Sequence, residues 1–222
     1  MTLSEHGDDV VMKGRERKRS RSFALALAGM LGTATISLSA VASAGAAQPH
    51  VAPPVFRPDI VTAIGDSVML DISAALKRDI KNAVIFAQTS QQLGVLIGPG
   101  NLLAQLKAHR QMGSVVIIAL GTNGTITNPM VDAVMAQLRG ARKVVFATNH
   151  DQRKAHAYMV NNNRSLKAAS LRYPNVVIAD WDRLATPHPA WFFTQGYSDG
   201  IHLPIDGVGA RAYASLLAVA AR

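Results

Sequence analysis

Short apolar runs and longer amphipathic stretches alternate along the chain from residue 59 onward. The apolar runs are typical of β-strands and lie at residues 60–64, 83–87, 115–120, 143–148 and 176–179. Helical spacing of apolar positions follows them, at residues 68–80, 91–110, 129–138, 155–171 and 206–221. The run at 115–120 is apolar at every position, which is typical of a central parallel strand covered on both faces.

This alternation predicts parallel βαβ units with right-handed crossovers. We therefore expect an α/β domain at residues 59–222, built as a three-layer α/β/α sandwich with a five-stranded parallel sheet. Gly98-Pro99-Gly100 should interrupt the second helix, and Asn128 should cap the third helix before Pro129. Residues 180–204 are expected to be irregular.

The first 46 residues have the pattern of a secretory signal peptide. Six Lys and Arg residues between Lys13 and Arg21 precede an uncharged apolar stretch at 23–41, and small residues follow at 42–46. Met12 is an alternative start of translation, because the segment before it is unusually long and acidic for the beginning of a signal peptide. The pattern predicts export to the periplasm or the extracellular space. An uncleaved membrane anchor is the other interpretation, since about 20 apolar residues span a bilayer.

Residues 47–58 are rich in proline and are expected to form an extended linker between the signal and the domain. From residue 47 on, 17 Lys and Arg residues stand against 10 acidic residues, all Asp. This basic excess either attracts anionic envelope polymers or is a solvated surface. The basic residues are scattered and few aromatic residues lie among them, so nucleic acid is not an expected partner. The chain has no Cys and no His cluster with ligand spacing, so neither a metal nor a cofactor is expected.

Three polar strings follow predicted strands and carry the candidate chemistry. Gly65-Asp66-Ser67 follows the first strand, Gly121-Thr122-Asn123 follows the third, and Asp199-Gly200-Ile201-His202 lies in the loop after the fifth. Ligands of open parallel sheets bind beyond the carboxyl ends of the strands, so the strings are expected to converge. They supply the groups that acyl transfer through a serine requires: a nucleophile, an oxyanion donor and an acid–base pair.

Ser67 is the candidate nucleophile, and its backbone N–H at a helix start is a candidate oxyanion donor. The alternative is that Ser67 only caps the helix. His202 is the candidate general base, because a serine hydroxyl needs a neighbouring group to take its proton. Asp199 is expected to orient the imidazole, and it is also a turn former beside Gly200; the two roles are compatible.

Four further positions are weaker candidates. Asn123 is either a side-chain donor to an oxyanion or an ordinary turn residue. Asp66 is expected to hold the turn before Ser67 through backbone hydrogen bonds. His150-Asp151 either lines the mouth of the site or, by default, lies in a solvated loop. Asn161-Asn162-Asn163 includes a substrate contact or, by default, forms a polar helix face.

The strings GDSV, GTNG and DGIHL resemble the SGNH (GDSL-type) hydrolase superfamily, which is named for Ser, Gly, Asn and His in four blocks. More narrowly, VTAIGDSVML, SVVIIALGTNG, RYPNVVIADW and SDGIHLPIDGVGARAYA are similar to the extracytoplasmic domain of bacterial peptidoglycan O-acetyltransferases. The resemblance extends over about residues 59–219. It implies the flavodoxin-like SGNH fold, a triad of Ser67, Asp199 and His202, and an oxyanion role for Asn123.

The chain departs from this family pattern in two ways. Where relatives usually have Gly followed by Arg-Gln, this chain has Ser90-Gln91-Gln92, so the backbone N–H of Ser90 is the expected donor from the second block. Many relatives also fuse the domain to a multi-span membrane acyltransferase. We therefore expect the acyl group to come from a separate membrane protein or from a soluble ester.

The resemblance implies a monomeric enzyme that takes an acyl group, expected to be acetyl, on Ser67. The group then moves to or from hydroxyls of peptidoglycan or another polysaccharide. A secreted carbohydrate or carboxyl esterase is the alternative, because the chemistry at Ser67 is the same when water is the acceptor. A non-catalytic glycan-binding module on an SGNH scaffold is a third possibility, which the presence of Ser67, Asn123, Asp199 and His202 together disfavours.

Overall fold

The computed structural model describes residues 55–192 and 198–222, so the predicted signal segment at 1–46 and linker residues 47–54 lie outside the described residues. Within the described ranges the chain forms five strands and six α-helices. The strands are β1 (Arg57–Gly65), β2 (Ala83–Ala87), β3 (Gly113–Ala119), β4 (Lys143–Ala147) and β5 (Val176–Ala179). The helices are α1 (Ser67–Asp79), α2 (Leu102–Ala108), α3 (Asn128–Gln137), α4 (Tyr158–Arg172), α5 (Trp181–Ala185) and α6 (Val208–Ala221).

The five strands form one parallel sheet in the order β2-β1-β3-β4-β5. The predicted five-stranded parallel sheet of an α/β fold is therefore confirmed. After β2 the chain crosses β1 to build the other half of the sheet, and Gly65 and Ala119 become neighbours at the ends of β1 and β3. This reversal of winding leaves a crevice at the carboxyl edge, where such sheets bind ligands.

Two apolar cores cover the two faces of the sheet. In β3, Val115, Ile117 and Ala119 belong to the core shared with α1 and α6, whereas Val116 and Ile118 belong to the core shared with α2 and α3. Because alternate strand residues point to opposite faces, both sets must be apolar. This double burial explains the unbroken apolar run in the sequence. None of the helices in the described part of the chain is long and apolar enough to cross a bilayer.

The helix predicted at residues 91–110 is longer than the helical structure observed there, but its predicted interruption at Gly98-Pro99-Gly100 is confirmed. A short 3-10 turn (Leu93–Leu96) and the seven-residue α2 take its place. Gly98 and Gly100 separate them with φ angles of 90° and 65°, in the left-handed region that breaks a helix. Asn101 then caps α2 by accepting a hydrogen bond from the N–H of Ala104.

Several other details differ from prediction, and most helix and strand ends shift by one to three residues. β1 begins at Arg57, two residues before the predicted start of the domain. The predicted cap at Asn128 is wrong, because Thr127 is the N-cap of α3 and Pro129 lies within its first turn. Residues 180–204 are not wholly irregular: Asp180 caps α5 by accepting from the N–H of Arg183, and a 3-10 turn (Pro189–Phe192) follows.

A buried hydroxyl links β1 to the start of β3 at the amino end of the sheet. Thr62 is fully buried, and its Oγ1 donates to the carbonyl of Gln111 at 2.8 Å. The same oxygen accepts from the N–H of Gly113 at 2.8 Å. The hydroxyl thus satisfies two backbone groups, of which the N–H of Gly113 is buried.

Replacement of this hydroxyl by a methyl group in Thr62→Val should destabilise the domain by about 1–3 kcal/mol, because the buried N–H of Gly113 is left unpaired and the carbonyl of Gln111 loses its donor. Urea unfolding followed by circular dichroism measures the change. Thr62→Ser is the matched control, since it keeps the hydroxyl and loses only the methyl. Wild-type stability of Thr62→Val would contradict this role of the hydroxyl.

Candidate active site

The first polar string forms a tight turn from β1 into α1. A Cβ on Gly65 would lie 2.3 Å from the Cβ of Met69, so a side chain does not fit there. Asp66 is the N-cap of α1, and its Oδ1 accepts from the N–H of Val68 at 3.0 Å. The interpretation of Ser67 as the cap is therefore wrong. The Ser67 hydroxyl is left to bind outside the helix.

Ser67, His202 and Asp199 form a continuous hydrogen-bonded chain. Oγ of Ser67 lies 2.9 Å from Nε2 of His202, and Nδ1 of His202 lies 2.5 Å from Oδ2 of Asp199. The other oxygen of Asp199 accepts from the N–H groups of Ile201 and His202, each at 2.9 Å. Asp199 thus forms the turn and orients the imidazole at the same time. The imidazole is 46% exposed, so small molecules reach it from solvent.

The environment keeps Asp199 ionised. Partial burial alone would raise its pKa, but hydrogen bonds from the His202 ring and from two backbone N–H groups outweigh burial and lower the pKa to about 2. A charged carboxylate behind Nδ1 stabilises an imidazolium when Nε2 takes a proton. The pair has the electrostatics of a general base held in one orientation.

Asp71 is a further carboxylate of the site that the sequence reasoning missed. It lies one helical turn after Ser67 on α1, and its Oδ2 accepts from the N–H of Leu203 at 3.1 Å. Burial raises the pKa of Asp71, while the Leu203 N–H and the nearby His202 act in the opposite direction. The contact ties the residue after His202 to the helix that carries Ser67. An acidic residue at the i+4 position from a helix-borne nucleophile was the available sequence signal.

Asn123 lies beside the turn, with its amide between two acceptors. Its Nδ2 donates to Oδ2 of Asp66 at 3.3 Å and to the carbonyl of Gln91 at 3.4 Å. Burial raises the pKa of Asp66, against hydrogen bonds that favour the charged form. Both Asn123 contacts are long, so the amide is oriented without being tightly bound.

The second-block segment lies next to this amide. Ser90 is exposed and has a φ of 60°, the left-handed conformation that glycine adopts most easily. The side chain of Gln91 donates to the carbonyl of Gly65 at 2.9 Å, which fixes the segment against the end of β1. Ser90 therefore has the backbone conformation that a glycine would adopt at this position. The side chain of Gln91 holds the segment against the end of β1.

Side chains of α4 hold the loop that carries Asn123. Asn162 is buried; its Oδ1 accepts from the N–H of Ile126 at 2.6 Å, and its Nδ2 donates to the carbonyls of Gly121 and Gly124 at 3.0 and 2.9 Å. The expectation of a polar surface or a substrate contact is wrong for Asn162, because three backbone groups use its amide. Its neighbour Asn161 is exposed.

Other buried contacts complete this support. Asn163 exchanges two hydrogen bonds with the backbone of Asn149 at 2.6 and 2.8 Å, and Tyr158 donates to the carbonyl of Thr122 at 2.6 Å. Gly121 has a φ of 123°, and a Cβ there would lie 2.3 Å from Oδ1 of Asn149. Sequence reasoning missed Tyr158 and Asn149, since an isolated polar residue gives no pattern.

His150 and Asp151 are both buried, so the default expectation of a solvated loop is wrong. Nδ1 of His150 lies 2.8 Å from Oδ1 of Asp182, and its ring stacks on Phe192 with centroids 5.1 Å apart. Asp151 accepts from the N–H and Nδ1 of His156 at 2.9 and 2.8 Å. Two further His–Asp pairs thus lie at the carboxyl end of β4.

Comparison with known proteins agrees with this architecture. One similar solved structure is the C-terminal catalytic domain of peptidoglycan O-acetyltransferase A (OatA) from Streptococcus pneumoniae, with a methylsulfonyl adduct. It superposes with a TM-score of 0.64 and 23% sequence identity, and the match covers 74% of this chain and 93% of that one. A carbohydrate esterase of family 3 from Talaromyces cellulolyticus has a TM-score of 0.52 and 16% identity, over 72% of this chain and 95% of that one. These likenesses show the fold. No protein-family model matches the chain.

Fold and sequence relatives together show that the chain belongs to the SGNH hydrolase superfamily. Within this superfamily, the chain is 32% identical over 155 residues to peptidoglycan O-acetyltransferase OatA of Listeria monocytogenes. The aligned region covers 70% of this chain and 23% of that protein. It is 33% identical over 153 residues to YrhL of Bacillus subtilis, a protein named provisionally as a peptidoglycan O-acetyltransferase; this match covers 64% of the chain and 21% of YrhL. The chain thus spans about a fifth of the length of these relatives.

The role of Asn162 is testable through stability. Asn162→Asp should cost about 3 kcal/mol or more, because a buried carboxylate replaces an amide that donates to two carbonyls. Asn161→Asp, on the exposed neighbouring position, is the control and should change the free energy of unfolding by less than about 0.5 kcal/mol. Chemical unfolding of both variants makes the comparison. Equal stability of the two would show that the amide does not hold the loop.

Proposed function

We propose that this chain is a serine acyl-transfer enzyme that works through an acyl-Ser67 intermediate. The observation that carries the proposal is the hydrogen-bonded chain from Ser67 Oγ through the imidazole of His202 to the carboxylate of Asp199. A partly buried serine with a base at 2.9 Å, itself oriented by an ionised carboxylate, is the arrangement that activates a hydroxyl.

In the first half of the reaction, Nε2 of His202 takes the proton of the Ser67 hydroxyl while Oγ attacks the acyl carbonyl carbon. The negative charge moves to the carbonyl oxygen. The N–H of Ser67 is a suitable donor to that oxygen, because the first residue of a helix has no intrahelical acceptor. The Asn123 amide and the Ser90 N–H are the other two donors. Breakdown transfers the proton from His202 to the departing oxygen and leaves the acyl group on Ser67.

In the second half, His202 takes the proton of an acceptor hydroxyl, and the acceptor oxygen attacks the acyl carbon. The bond to Ser67 breaks, and Oγ recovers the proton from His202. A sugar hydroxyl as acceptor makes the reaction a transfer, and water makes it a hydrolysis. Removal of one oxyanion donor typically slows such reactions by about 10²–10³-fold.

The relatives support a choice of acyl group and acceptor. OatA of Listeria monocytogenes is named a peptidoglycan O-acetyltransferase, and its similarity to this chain supports acetyl as the group and a cell-wall glycan as the acceptor. We propose a membrane protein or a soluble ester as the source of the acetyl group. Export by the segment at residues 1–46 would place the enzyme in the cell envelope, where this glycan lies.

Ser67→Ala in the full chain should lower the hydrolysis of an activated acetyl ester at least about 10³-fold, because the covalent route is lost. Ser73→Ala is the matched control: Ser73 lies on the same helix, and its hydroxyl bonds to the carbonyl of Leu70. Release of the chromophore from nitrophenyl acetate measures the rate. Equal rates in the two variants would refute the serine mechanism. Acetylated sugar, detected by mass spectrometry after addition of an oligosaccharide, distinguishes transfer from hydrolysis.

The pH dependence should show that Asp199 stays ionised throughout the working range. Hydrogen bonds lower the pKa of Asp199 to about 2, so this carboxylate stays charged above pH 4 and contributes nothing to the profile there. Activity should nevertheless fall toward acid pH, because a protonated imidazole cannot act as the base for Ser67. The profile of kcat/KM between pH 4 and 8 measures the fall. A profile that stays flat over this range would contradict the role of His202 as the base.

A further inference from the structure

A cavity of about 540 Å³ opens at the carboxyl end of β4, outside the Ser67–His202–Asp199 chain. Its size lies within the range of small-molecule sites in proteins. Ala157, Met159 and Val160, at the start of α4, give the cavity an apolar wall, and Val160 is 63% exposed. The two His–Asp pairs described above give it a polar wall.

The polar wall is rigid. The side chain of His150 is only 5% exposed and is held between Asp182 at 2.8 Å and Oε1 of Gln152 at 3.0 Å. The side chain of Asp151 is 3% exposed. It accepts hydrogen bonds from the backbone N–H groups of Arg153 and His156 and from Nδ1 of the His156 ring. Polar groups fixed in this way are already ordered before a ligand binds, which lowers the entropic cost of binding.

One residue of the cavity also has a strained backbone. Lys154 lines the cavity and has a φ of 56°, although it is neither glycine nor asparagine. A left-handed conformation is unfavourable for such a residue, and residues of this kind cluster at ligand sites. A hydrogen bond from its N–H to the carbonyl of Asp151 helps to hold it there.

The cavity touches the loop that carries His202. The N–H of Gln152 donates to the carbonyl of Gly200 at 2.8 Å. A Cβ placed on Gly200 would lie 2.9 Å from Cγ of Arg153 and 3.3 Å from Oδ1 of Asp151. Because Gly200 precedes His202 by two residues, the wall of the cavity contacts the same short loop that carries the imidazole.

The residues that line the cavity favour some classes of ligand over others. Fixed carboxylates at Asp151 and Asp182 disfavour phosphates and other anions, and the polar wall disfavours a purely apolar chain. The charged groups of the wall include both signs, with Lys154 against the two carboxylates, which suits a neutral ligand. A sugar ring has an apolar face and a rim of hydroxyl groups, and it matches one apolar and one hydrogen-bonding wall.

We propose that this cavity is the subsite for a saccharide unit of the acetyl acceptor, which it holds beside His202. The proposal rests on the acyl-transfer function proposed above and deepens it. A sugar bound between the apolar wall at Val160 and the polar wall at Asp182 would present a neighbouring unit of the same glycan to the acyl-Ser67 ester. The Nε2 of His156 has no hydrogen-bond partner among residues 55–192 and 198–222, and it is a group for a sugar hydroxyl to engage.

Binding of a chito-oligosaccharide to the full chain, measured by isothermal titration calorimetry, tests the subsite directly. Ala157→Trp and Val160→Trp place a large ring in the cavity from exposed positions, so they should fold and should bind at least about tenfold more weakly than wild type. Leu171→Trp is the matched control, because Leu171 is 89% exposed and lies on the same helix away from the cavity. Thermal unfolding confirms that all three variants are folded.

The ratio of sugar acetylation to ester hydrolysis should fall by the same factor in Ala157→Trp and Val160→Trp and should stay at the wild-type value in Leu171→Trp. Wild-type binding in both cavity variants, or no binding by the wild type, would overturn the subsite. Binding does not require the Ser67 hydroxyl, so Ser67→Ala should bind the oligosaccharide as wild type does. A failure of the serine mechanism is thereby distinguished from a failure of the subsite.

Discussion

The buried carboxylate of Asp66 determines how the rest of the candidate site is presented. One oxygen caps α1 at Val68, which frees the neighbouring Ser67 hydroxyl from the capping role that a serine commonly has at a helix start. The other oxygen accepts from Nδ2 of Asn123 and draws the loop after β3 toward the loop after β1. A buried carboxylate is stable only when it is hydrogen-bonded, so the cap and the amide contact depend on each other.

The loops around this carboxylate are held mainly by side chains and not by regular structure. Asn162 and Tyr158 of α4 bind the backbone of the Asn123 loop, Gln91 binds the end of β1, and Asp71 binds the backbone after His202. Each contact joins a loop to an element of the sheet or a long helix. Loops fixed in this way place reacting groups within tenths of an ångström, which serine acyl transfer needs.

The sequence predicted the sheet well because its signal is repetitive. Five apolar runs, separated by helical spacing, led to the observed parallel sheet, and β2 and β5 have the predicted bounds. Ser67, His202 and Asp199 were named from short strings, and the topology brings them together. The backbone-binding role expected for Asp66 is confirmed by its hydrogen bond from the N–H of Val68. The failures came where a single side chain decides the outcome: the buried amide of Asn162 and the carboxylate of Asp71. The partners of these two side chains are backbone groups distant in sequence, which only the folded chain brings close.

The central claim is that the acyl group passes through Ser67. Acid quenching of the full chain during reaction with an activated acetyl ester, followed by proteolysis and mass spectrometry, tests it most directly. We predict acetyl on the peptide that contains Ser67, in an amount that falls when His202 is replaced by Ala and when an acceptor sugar is added. Acetylation confined to other residues, or equal labelling of that peptide in the Ser67→Ala variant, would contradict it.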